Sequence, residues 1–367
     1  MLTSTWGPQS LLRRRRGLPA ELAAELPYDT YQLALIVHPN ERSRIGTFDL
    51  EEQLAPALDA GMILAAPHEE WAALLVAADA VITDHGSTAL YAAALDRPII
   101  RAHDGGDELI PGSPMAELLA HSPQLADPGG IGALLAAHRP GTVRAFAAAA
   151  FAEQGHALER LRGELYRLLD LTPPPGPAAA RVLPVPAAPL RTPVAFAVRA
   201  RLGDHEVHVE RRPTHGTMPA QHIAAEYGPA GIRHLQSAAL VYRRHTRPAQ
   251  AAGHHLDWTP ADWTARILAD LPGCRTAAVI LSPSHCVVRT RAGALLTAHL
   301  EPHREHGRVH HPDPAAVLGA THAWLARHPD LPATIACLIG DHTFRVHLTP
   351  TEPSEPQAPF GNPPDGP

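Results

Sequence analysis

The sequence predicts an α/β fold, in which a doubly wound parallel sheet is followed by a separate α+β module. Three observations lead to this prediction. Five short apolar runs alternate with helical patterns along residues 1–102. A proline-rich stretch then interrupts the chain at residues 172–193. Beyond that stretch, strand patterns follow one another around hairpin turn signals.

The five apolar runs are too short for helices and lack the alternation of half-buried strands. Both features are typical of parallel strands that are buried on both faces. We predict strands at 2–6, 31–37, 62–65, 80–83 and 98–102, with helices at 18–26, 49–60, 69–77 and 89–95. Residues 1–171 are therefore predicted to form a Rossmann-like domain. Because the chain opens inside its first strand, we expect this domain to be truncated at its start.

Two local features complete the first domain. Pro56 is expected to interrupt the helix at 49–60, because proline removes a backbone donor from a helix interior. A last helix at 156–169 carries leucines at helical spacing. Such a stripe predicts a helix that packs back on the domain.

The turn after the fourth apolar run carries the polar residues best suited to binding. Asp84 ends the strand, and Gly86, Ser87 and Thr88 lead into the next helix. Ser87 or Thr88 can cap that helix, which directs backbone N–H groups outward at the carboxyl edge of the sheet. Phosphate and other anions bind at such a place. Turn formation by Asp84 and simple capping by the two hydroxyls are the alternative interpretations.

The rest of the chain divides into three segments. Residues 172–193 begin with Thr-Pro-Pro-Pro-Gly-Pro, which favours a stiff, extended linker. Residues 194–349 are predicted to form the α+β module, with a hairpin around Gly203-Asp204 and a strand at 234–243. Residues 350–367 are rich in proline, glutamate and glycine, and we predict that they are disordered.

Composition narrows the classes of function. The formal net charge is −6, and all 31 basic residues are arginine without a long basic face, so no nucleic-acid partner is predicted. No apolar stretch reaches the roughly 18 residues of a transmembrane helix. Three widely spaced cysteines form no C-x-x-C pair, which is typical of buried thiols in a reducing compartment. We therefore predict a cytoplasmic protein with no transmembrane segment.

Three motifs resemble one known family. The run Ala-Asp-Ala-Val-Ile-Thr-Asp-His-Gly-Ser-Thr at 78–88, with Leu-Asp-Arg-Pro-Ile-Ile at 95–100, resembles the carboxyl-terminal half of GT-B fold glycosyltransferases. The nearest likeness is to the CDP-glycerol glycerophosphotransferases of teichoic acid synthesis. Thr3-Ser4-Thr5-Trp6 and His38-Pro39-Asn40 resemble the ends of the first two strands of that half. The resemblance covers about residues 2–169 and leaves the second module unexplained.

The resemblance implies a transferase that binds a nucleotide diphosphate donor, either CDP-glycerol or a nucleotide sugar. Ser87 and Thr88 would contact the phosphates, and Gly86 would permit their close approach. Asp84, by its own position at the end of the strand, is a candidate to bind a substrate hydroxyl, with turn formation as the alternative. Thr5 would lie at the mouth of the first strand. His38 would be the catalytic residue, which pairs with a phosphate or assists departure of the leaving group.

The family's preceding half, with its His-Gly motif, does not precede Met1 in this sequence. We therefore expect a protein partner to supply the missing half if the chain is an enzyme. A second hypothesis is a catalytically silent truncated paralogue that acts as a binding or interaction protein. A nucleotide-sugar 2-epimerase, which shares the fold, is a third hypothesis, less favoured because its usual acidic and histidine pattern is not evident. The sequence leaves these hypotheses open.

No resident cofactor or metal is predicted. Carboxylates at Asp104, Asp107 and Glu108 suit a Mg²⁺ ion that accompanies a donor diphosphate, with a solvated loop as the alternative. In the second module, His205-x-x-His208 and His303-x-x-His306 lack third and fourth ligands at a recognised spacing.

Overall fold

The computed structural model of the 367-residue chain describes residues 1–67, 70–214, 220–245, 259–328 and 333–351. It divides into two compact units. The first comprises Met1–Leu26 and Gln32–Thr192, and the second comprises Pro27–Tyr31 and Pro193–Pro367. Glu69, at the start of a predicted helix, and residues 352–367 of the predicted tail lie outside the described residues.

A five-stranded parallel sheet forms the centre of the first unit. Its strands are β1 (Leu2–Ser4), β2 (Ala34–Val37), β3 (Ile63–Leu64), β4 (Val81–Thr83) and β5 (Ile99–Arg101). They lie in the order β3-β2-β1-β4-β5. The chain therefore leaves β1 toward one edge and later returns to β4 on the other side, which creates a topological switch point between β1 and β4. This arrangement is consistent with the predicted Rossmann-like sheet.

Helices cover this sheet. Every residue of β1, β2 and β4 is buried, as expected of strands packed on both faces. The helices of the unit are α1 (Leu11–Arg14), α2 (Leu18–Glu25), α3 (Pro39–Ile45), α4 (Thr47–Asp59), α5 (Glu70–Ala77), α6 (Thr88–Ala94), α7 (Pro114–His121), α8 (Ile131–Ala136), α9 (Arg144–Ala150) and α10 (Ala157–Leu168). Small residues of α6, Ala89, Ala92 and Ala93, are fully buried and let this helix approach β4 and β5 closely.

Two sequence predictions about these helices are wrong. Helix α4 continues through Pro56, because buried Leu50, Leu54 and Leu58 hold both halves of the helix against the core. Helix α10 forms as predicted, but none of its residues is buried, and its leucines are 44–65% exposed. The leucine spacing defines an apolar face, but spacing alone does not supply an element to cover that face.

A closed barrel of nine strands forms the second unit. Its strands are β6 (Ala195–Leu202), β7 (Glu206–Pro213), β8 (His222–Glu226), β9 (Leu240–Arg244), β10 (Thr276–Ser282), β11 (His285–Thr290), β12 (Leu295–Leu300), β15 (Thr334–Ile339) and β16 (His342–Pro350), and a separate hairpin comprises β13 (His303–Glu305) and β14 (Arg308–His310). The barrel order is β10-β11-β12-β16-β15-β7-β6-β8-β9. The β6–β7 hairpin around Gly203-Asp204 is confirmed. The predicted strand at 234–243 begins instead as a short helix, α11 (Ile232–Ser237), before β9.

One helix fills the barrel. In α13 (Pro314–Leu325), ten of the 12 residues are buried, and a helix that is buried on all sides belongs in a core. It packs with inward side chains such as Phe196, Val207 and Leu240. Small residues make room for it, since a Cβ on Gly319 would lie 3.3 Å from Val198 Cγ1. Helix α12 (Pro260–Asp270) packs instead against outward side chains of β9 and β10.

A buried ion network surrounds the start of α13. The fully buried Arg211 donates to both carboxylate oxygens of Asp29 and to Asp313 Oδ2, at 2.9 Å. Arg244 donates to Asp313 Oδ1, also at 2.9 Å. Burial would raise the pKa of Asp313, but the charges of Arg211 and Arg244 hold it at about 2. Asp313 also caps α13 by accepting from the Ala315 N–H.

Within the described parts of the chain, the longest apolar helices fall short of what is needed to cross a membrane.

Candidate functional site

Asp84 is a buried carboxylate at the switch point that joins two loops. Its Oδ2 accepts hydrogen bonds from the backbone N–H groups of Thr5, at 2.8 Å, and Leu11, at 2.7 Å. Its Oδ1 accepts from the backbone N–H of Gly86, at 2.9 Å. Burial raises the pKa of Asp84, and the three N–H donors oppose this rise. Asp84 thus fixes the loop after β1 to the turn after β4, and its oxygens face the backbone.

Gly86 lets these two loops approach each other. A Cβ on Gly86 would lie 3.2 Å from Thr5 Cβ and 3.2 Å from Asp84 Oδ1, which is closer than side chains ordinarily pack. Thr3 and Thr83, on the adjoining strands, share a buried hydroxyl–hydroxyl hydrogen bond of 2.8 Å. The structure therefore brings together Thr5, Asp84 and Gly86, three of the residues that the sequence selects.

Ser87 and Thr88 lie at the start of α6. Ser87 occupies the N-cap position, but its side chain makes no capping hydrogen bond, and the residue is exposed. Its backbone is already helical, whereas a capping serine usually has extended dihedral angles. Ser87 is therefore the N-cap residue by position, as one of the two alternatives had it, but it makes no side-chain capping hydrogen bond. The residue is exposed, so a ligand in solution can reach it.

His38 ends β2 and caps the next helix, α3. Its Nδ1 accepts a hydrogen bond from the Asn40 N–H at 3.1 Å. A neutral imidazole that accepts at Nδ1 carries its proton on Nε2 and can donate only from there. The ring lies 6.3 Å from the ring of Trp6, which follows β1 and is 55% exposed. The Nδ1 of His38 is thus occupied by the Asn40 N–H, and Nε2 is the nitrogen from which a neutral ring donates.

The glycine-rich loop after β5 forms the other wall of this edge. His85 Nε2 and Glu108 Oε2 are 2.7 Å apart, which joins this loop to the turn after β4. A Cβ on Gly106 would lie 2.7 Å from Gln9 Cδ, so the same loop also meets the segment after β1. Gly105 and Gly106 both have positive φ, of 82° and 59°, a conformation that glycine adopts without strain. Three loops therefore converge at the switch point.

Four enclosed polar atoms of these loops lack a hydrogen-bond partner among the described residues. They are Gln9 Oε1, the Ser10 hydroxyl, His85 Nδ1 and His103 Nε2. His103 Nδ1 accepts from the Gly105 N–H at 3.0 Å, so a neutral ring carries its proton on the unpartnered Nε2. Burial lowers the pKa of His103, which favours that neutral form. Buried polar atoms without partners are uncommon, so these four leave hydrogen-bonding capacity at this sheet edge that water or a ligand can satisfy.

Sequence reasoning missed Gln9, Ser10, His85 and His103. The available signal is the glycine-rich sequence His-Asp-Gly-Gly-Asp-Glu at 103–108, which predicts a loop over the carboxyl edge of the sheet but does not identify these side chains. In the structure, Asp104 Oδ1 accepts from the Gly106 N–H and Glu108 pairs with His85. Within the described residues, the group of side chains with metal-ligand spacing lies elsewhere, in the second unit.

The fold and the site define a parallel α/β unit with a polar edge at its switch point. Comparison of the chain with protein-family models, with curated proteins and with solved structures finds no match.

Proposed function

We propose that the first unit is a Rossmann-like nucleotide-binding domain of the GT-B kind. It binds a nucleotide diphosphate donor, CDP-glycerol or a nucleotide sugar, for glycosyl or glycerophosphoryl transfer. The observation that carries this proposal is the meeting of three loops at the switch point, with Asp84 as their common anchor. In open parallel sheets, ligands bind outside the carboxyl ends of the strands at such a point.

The polar groups at this edge suit a diphosphate. The Nε2–H of His38 and the hydroxyls of Ser87 and Thr88 provide donors for phosphate oxygens. Arg14 is exposed, and its positive charge adds to the effect of burial in lowering the pKa of His103. Arg14 therefore lies near the edge and provides the positive charge that an anionic donor requires. Trp6, beside His38, offers an exposed aromatic face for a nucleotide base.

Donor binding has more direct support than transfer. His38 can stabilise negative charge on a departing diphosphate by donating from Nε2. It is poorly placed as a base, because its Nδ1 is occupied by the Asn40 N–H. The second candidate function is therefore a nucleotide-binding protein that does not turn over the donor. A protein partner that supplies a facing half would restore transfer under the first proposal.

Calorimetric titration tests the binding step. Full-length protein is titrated with CDP-glycerol, UDP-sugars, CDP and UDP, each with and without Mg²⁺. The double variant Ser87→Ala/Thr88→Ala should bind the preferred ligand at least about tenfold more weakly, which corresponds to about 1.4 kcal/mol. The matched control is Ser113→Ala, which removes a side-chain cap from α7, where the Ser113 hydroxyl accepts from the Ala116 N–H at 3.2 Å. The control should lose stability but keep its affinity.

The outcomes separate the candidates. Absence of binding for all four ligands, or equal affinity in the double variant and wild type, would contradict the nucleotide proposal. Binding without release of CDP or UDP from the donor would favour the non-catalytic candidate. If an added partner protein then starts donor turnover, the transferase proposal is supported.

A further inference from the structure

A cluster of imidazole and carboxylate groups lies on the barrel unit, outside the proposed nucleotide site. His303 and Glu305 are two residues apart on β13, so their side chains project from the same face of the strand. His310 on β14 stands opposite His303 in the hairpin register. His342 begins β16. The cluster therefore combines one hairpin with one barrel strand of the same unit.

The hairpin turn holds β13 and β14 in this register. His306 and Gly307 have φ values of 46° and 74°, the two positive values of a type I′ turn. This turn matches the twist of paired strands and joins them with only two residues. The positions of His303, Glu305 and His310 are consequently set by the backbone of the hairpin, and do not depend on a flexible loop.

The distances suit one metal ion. Glu305 Oε2 lies 3.6 Å from His303 Nε2 and 3.9 Å from His342 Nε2. One ligand atom from each of the three residues lies within 4.8 Å of the others. With 4.8 Å as the upper limit of the third separation, a point equidistant from the three atoms lies at most about 2.4 Å from each, close to the roughly 2.0–2.2 Å of zinc bonds to imidazole and carboxylate. Small side-chain rotations are enough to close that difference.

The ligand types favour a transition metal over magnesium or calcium. Two imidazoles and one carboxylate form a set found around zinc and related divalent ions, whereas Mg²⁺ and Ca²⁺ take oxygen ligands. His310 lies beside this set, with its ring centroid 4.9 Å from that of His342 and 6.4 Å from that of His303. We propose that His303, Glu305 and His342 bind one divalent transition-metal ion of the zinc class, which leaves the fourth position of the ion to water or another exogenous ligand.

Sequence spacing could not reveal this site. His303 and Glu305 are close in sequence, but His342 reaches them only because the barrel places β16 beside β13. The ordinary alternative is a set of histidine–carboxylate ion pairs that needs no metal. Zinc binding distinguishes these alternatives, because ion pairs alone do not create a tight stoichiometric site.

The test uses full-length protein without a histidine tag, freed of metal by a chelator and desalted. Zn²⁺ is added in competition with a chromophoric chelator, and Co²⁺ serves as a spectroscopic probe of coordination. Wild type should bind one tight equivalent of Zn²⁺ and give the visible Co²⁺ absorption of a four-coordinate site. Loss of an outer hydrogen-bond partner of a metal ligand already weakens binding about 10- to 100-fold. His303→Ala, His342→Ala and Glu305→Gln should therefore each weaken Zn²⁺ binding by at least that factor.

Two control variants test whether Zn²⁺ binds at the proposed cluster and not at other histidines. His205→Ala removes an exposed imidazole at the β6–β7 turn and should leave the Zn²⁺ affinity unchanged. The double variant His285→Ala/His299→Ala removes another imidazole pair, whose Nε2 and Nδ1 atoms are 3.2 Å apart, and should also leave it unchanged. Circular dichroism in chelator verifies that every variant is folded. Absence of a tight equivalent in wild type overturns the proposal. So does a tight site that survives loss of His303 and His342, or one that disappears with His285 and His299.

Discussion

Replacement of Arg211 by methionine should destabilise the barrel unit by about 3–5 kcal/mol, the range found when one partner of a buried ion pair is removed. Arg211 is fully buried and donates to Asp29 and Asp313. Methionine keeps an apolar stem beside Phe196, over whose ring the guanidinium lies at 4.3 Å. Asp313 keeps its hydrogen bond from Arg244. Most of the lost stability should therefore come from Asp29, whose side chain is only 9% exposed and is left without its cation.

Hydrogen exchange measured by mass spectrometry suits a chain of two units, because global unfolding of such a chain need not be two-state. Amides of β7 and α13 report on the barrel, and amides of α4 provide an internal reference in the first unit. Arg201→Met is the matched control, since Arg201 is exposed on β6, the strand paired with β7. A surface change of that kind usually alters stability by no more than about 0.5 kcal/mol.

A second substitution tests the assigned cause. In the double variant Asp29→Asn/Arg211→Met, the uncompensated carboxylate is removed, so the double variant should be more stable than Arg211→Met alone. A coupling free energy of about 0.5–3 kcal/mol is usual for residues in one ion-pair network. Equal exchange in Arg211→Met and Arg201→Met would refute the reasoning, as would additive effects of the two substitutions at positions 29 and 211.

Three further predictions concern pH and the switch point. The pKa of Asp313 in the folded protein is held at about 2, below its usual value. The ionised carboxylate therefore stabilises the fold by about 2 kcal/mol above about pH 4, and this stabilisation is lost as the pH falls toward 2. Unfolding midpoints measured across that range check it, and Arg211→Met should reduce the slope. Burial lowers the pKa of His222 to about 3 and that of His322 to about 4, so both imidazoles stay neutral in the folded barrel. In the unfolded chain they take up protons below about pH 6.5, so the barrel has its full stability above that pH. As the pH falls below 6.5, stability should decrease by up to about 1.4 kcal/mol per pH unit for each imidazole, and His322→Gln should reduce this decrease. In Asp84→Asn, at least one backbone N–H donor faces the new amide NH₂, so the free energy of unfolding should fall by about 1–3 kcal/mol. Hydrogen exchange at the loop amides should be faster. The control Asp59→Asn breaks an exposed ion pair with Arg191 and should lower the free energy of unfolding by less than about 1 kcal/mol.

Local sequence patterns predict the helices and strands of this chain well, but they predict the contacts between those elements poorly. The short apolar runs around Leu35 and Val81 predict buried parallel strands because burial on both faces removes alternation. The Gly203-Asp204 signal predicts a hairpin because the turn residues and both strands are adjacent in sequence. The leucines of α10 predict burial incorrectly, since a covering element is a property of the tertiary structure. Arg211 is not recognisable as a core residue among 31 arginines until Asp29, far away in sequence, is placed beside it.

The same limit applies to the candidate site. The end of β4 and the start of α6 are local features, so the turn from Asp84 to Thr88 is recognisable in the sequence. The partners of Asp84 are not local, because the Leu11 N–H lies 73 positions away. For this reason the sequence leaves Asp84 open between binding a substrate hydroxyl and forming a turn, and only the structure shows that its carboxylate joins the loops through three backbone N–H groups. His103 is missed similarly, since its unpartnered Nε2 becomes evident only when the loops converge.

The two proposed sites are held by different interactions, and this difference allows one more prediction. The switch point depends on hydrogen bonds from backbone N–H groups to Asp84 in the first unit. The histidine cluster depends on the β13–β14 hairpin and β16 of the second unit. Asp84→Asn should therefore weaken nucleotide binding, because the loops lose their anchor, but should leave Zn²⁺ affinity unchanged. His303→Ala should have the opposite pattern. Both ligands are titrated into both variants, and a variant that weakens both bindings would show that the two sites are coupled, contrary to this reasoning.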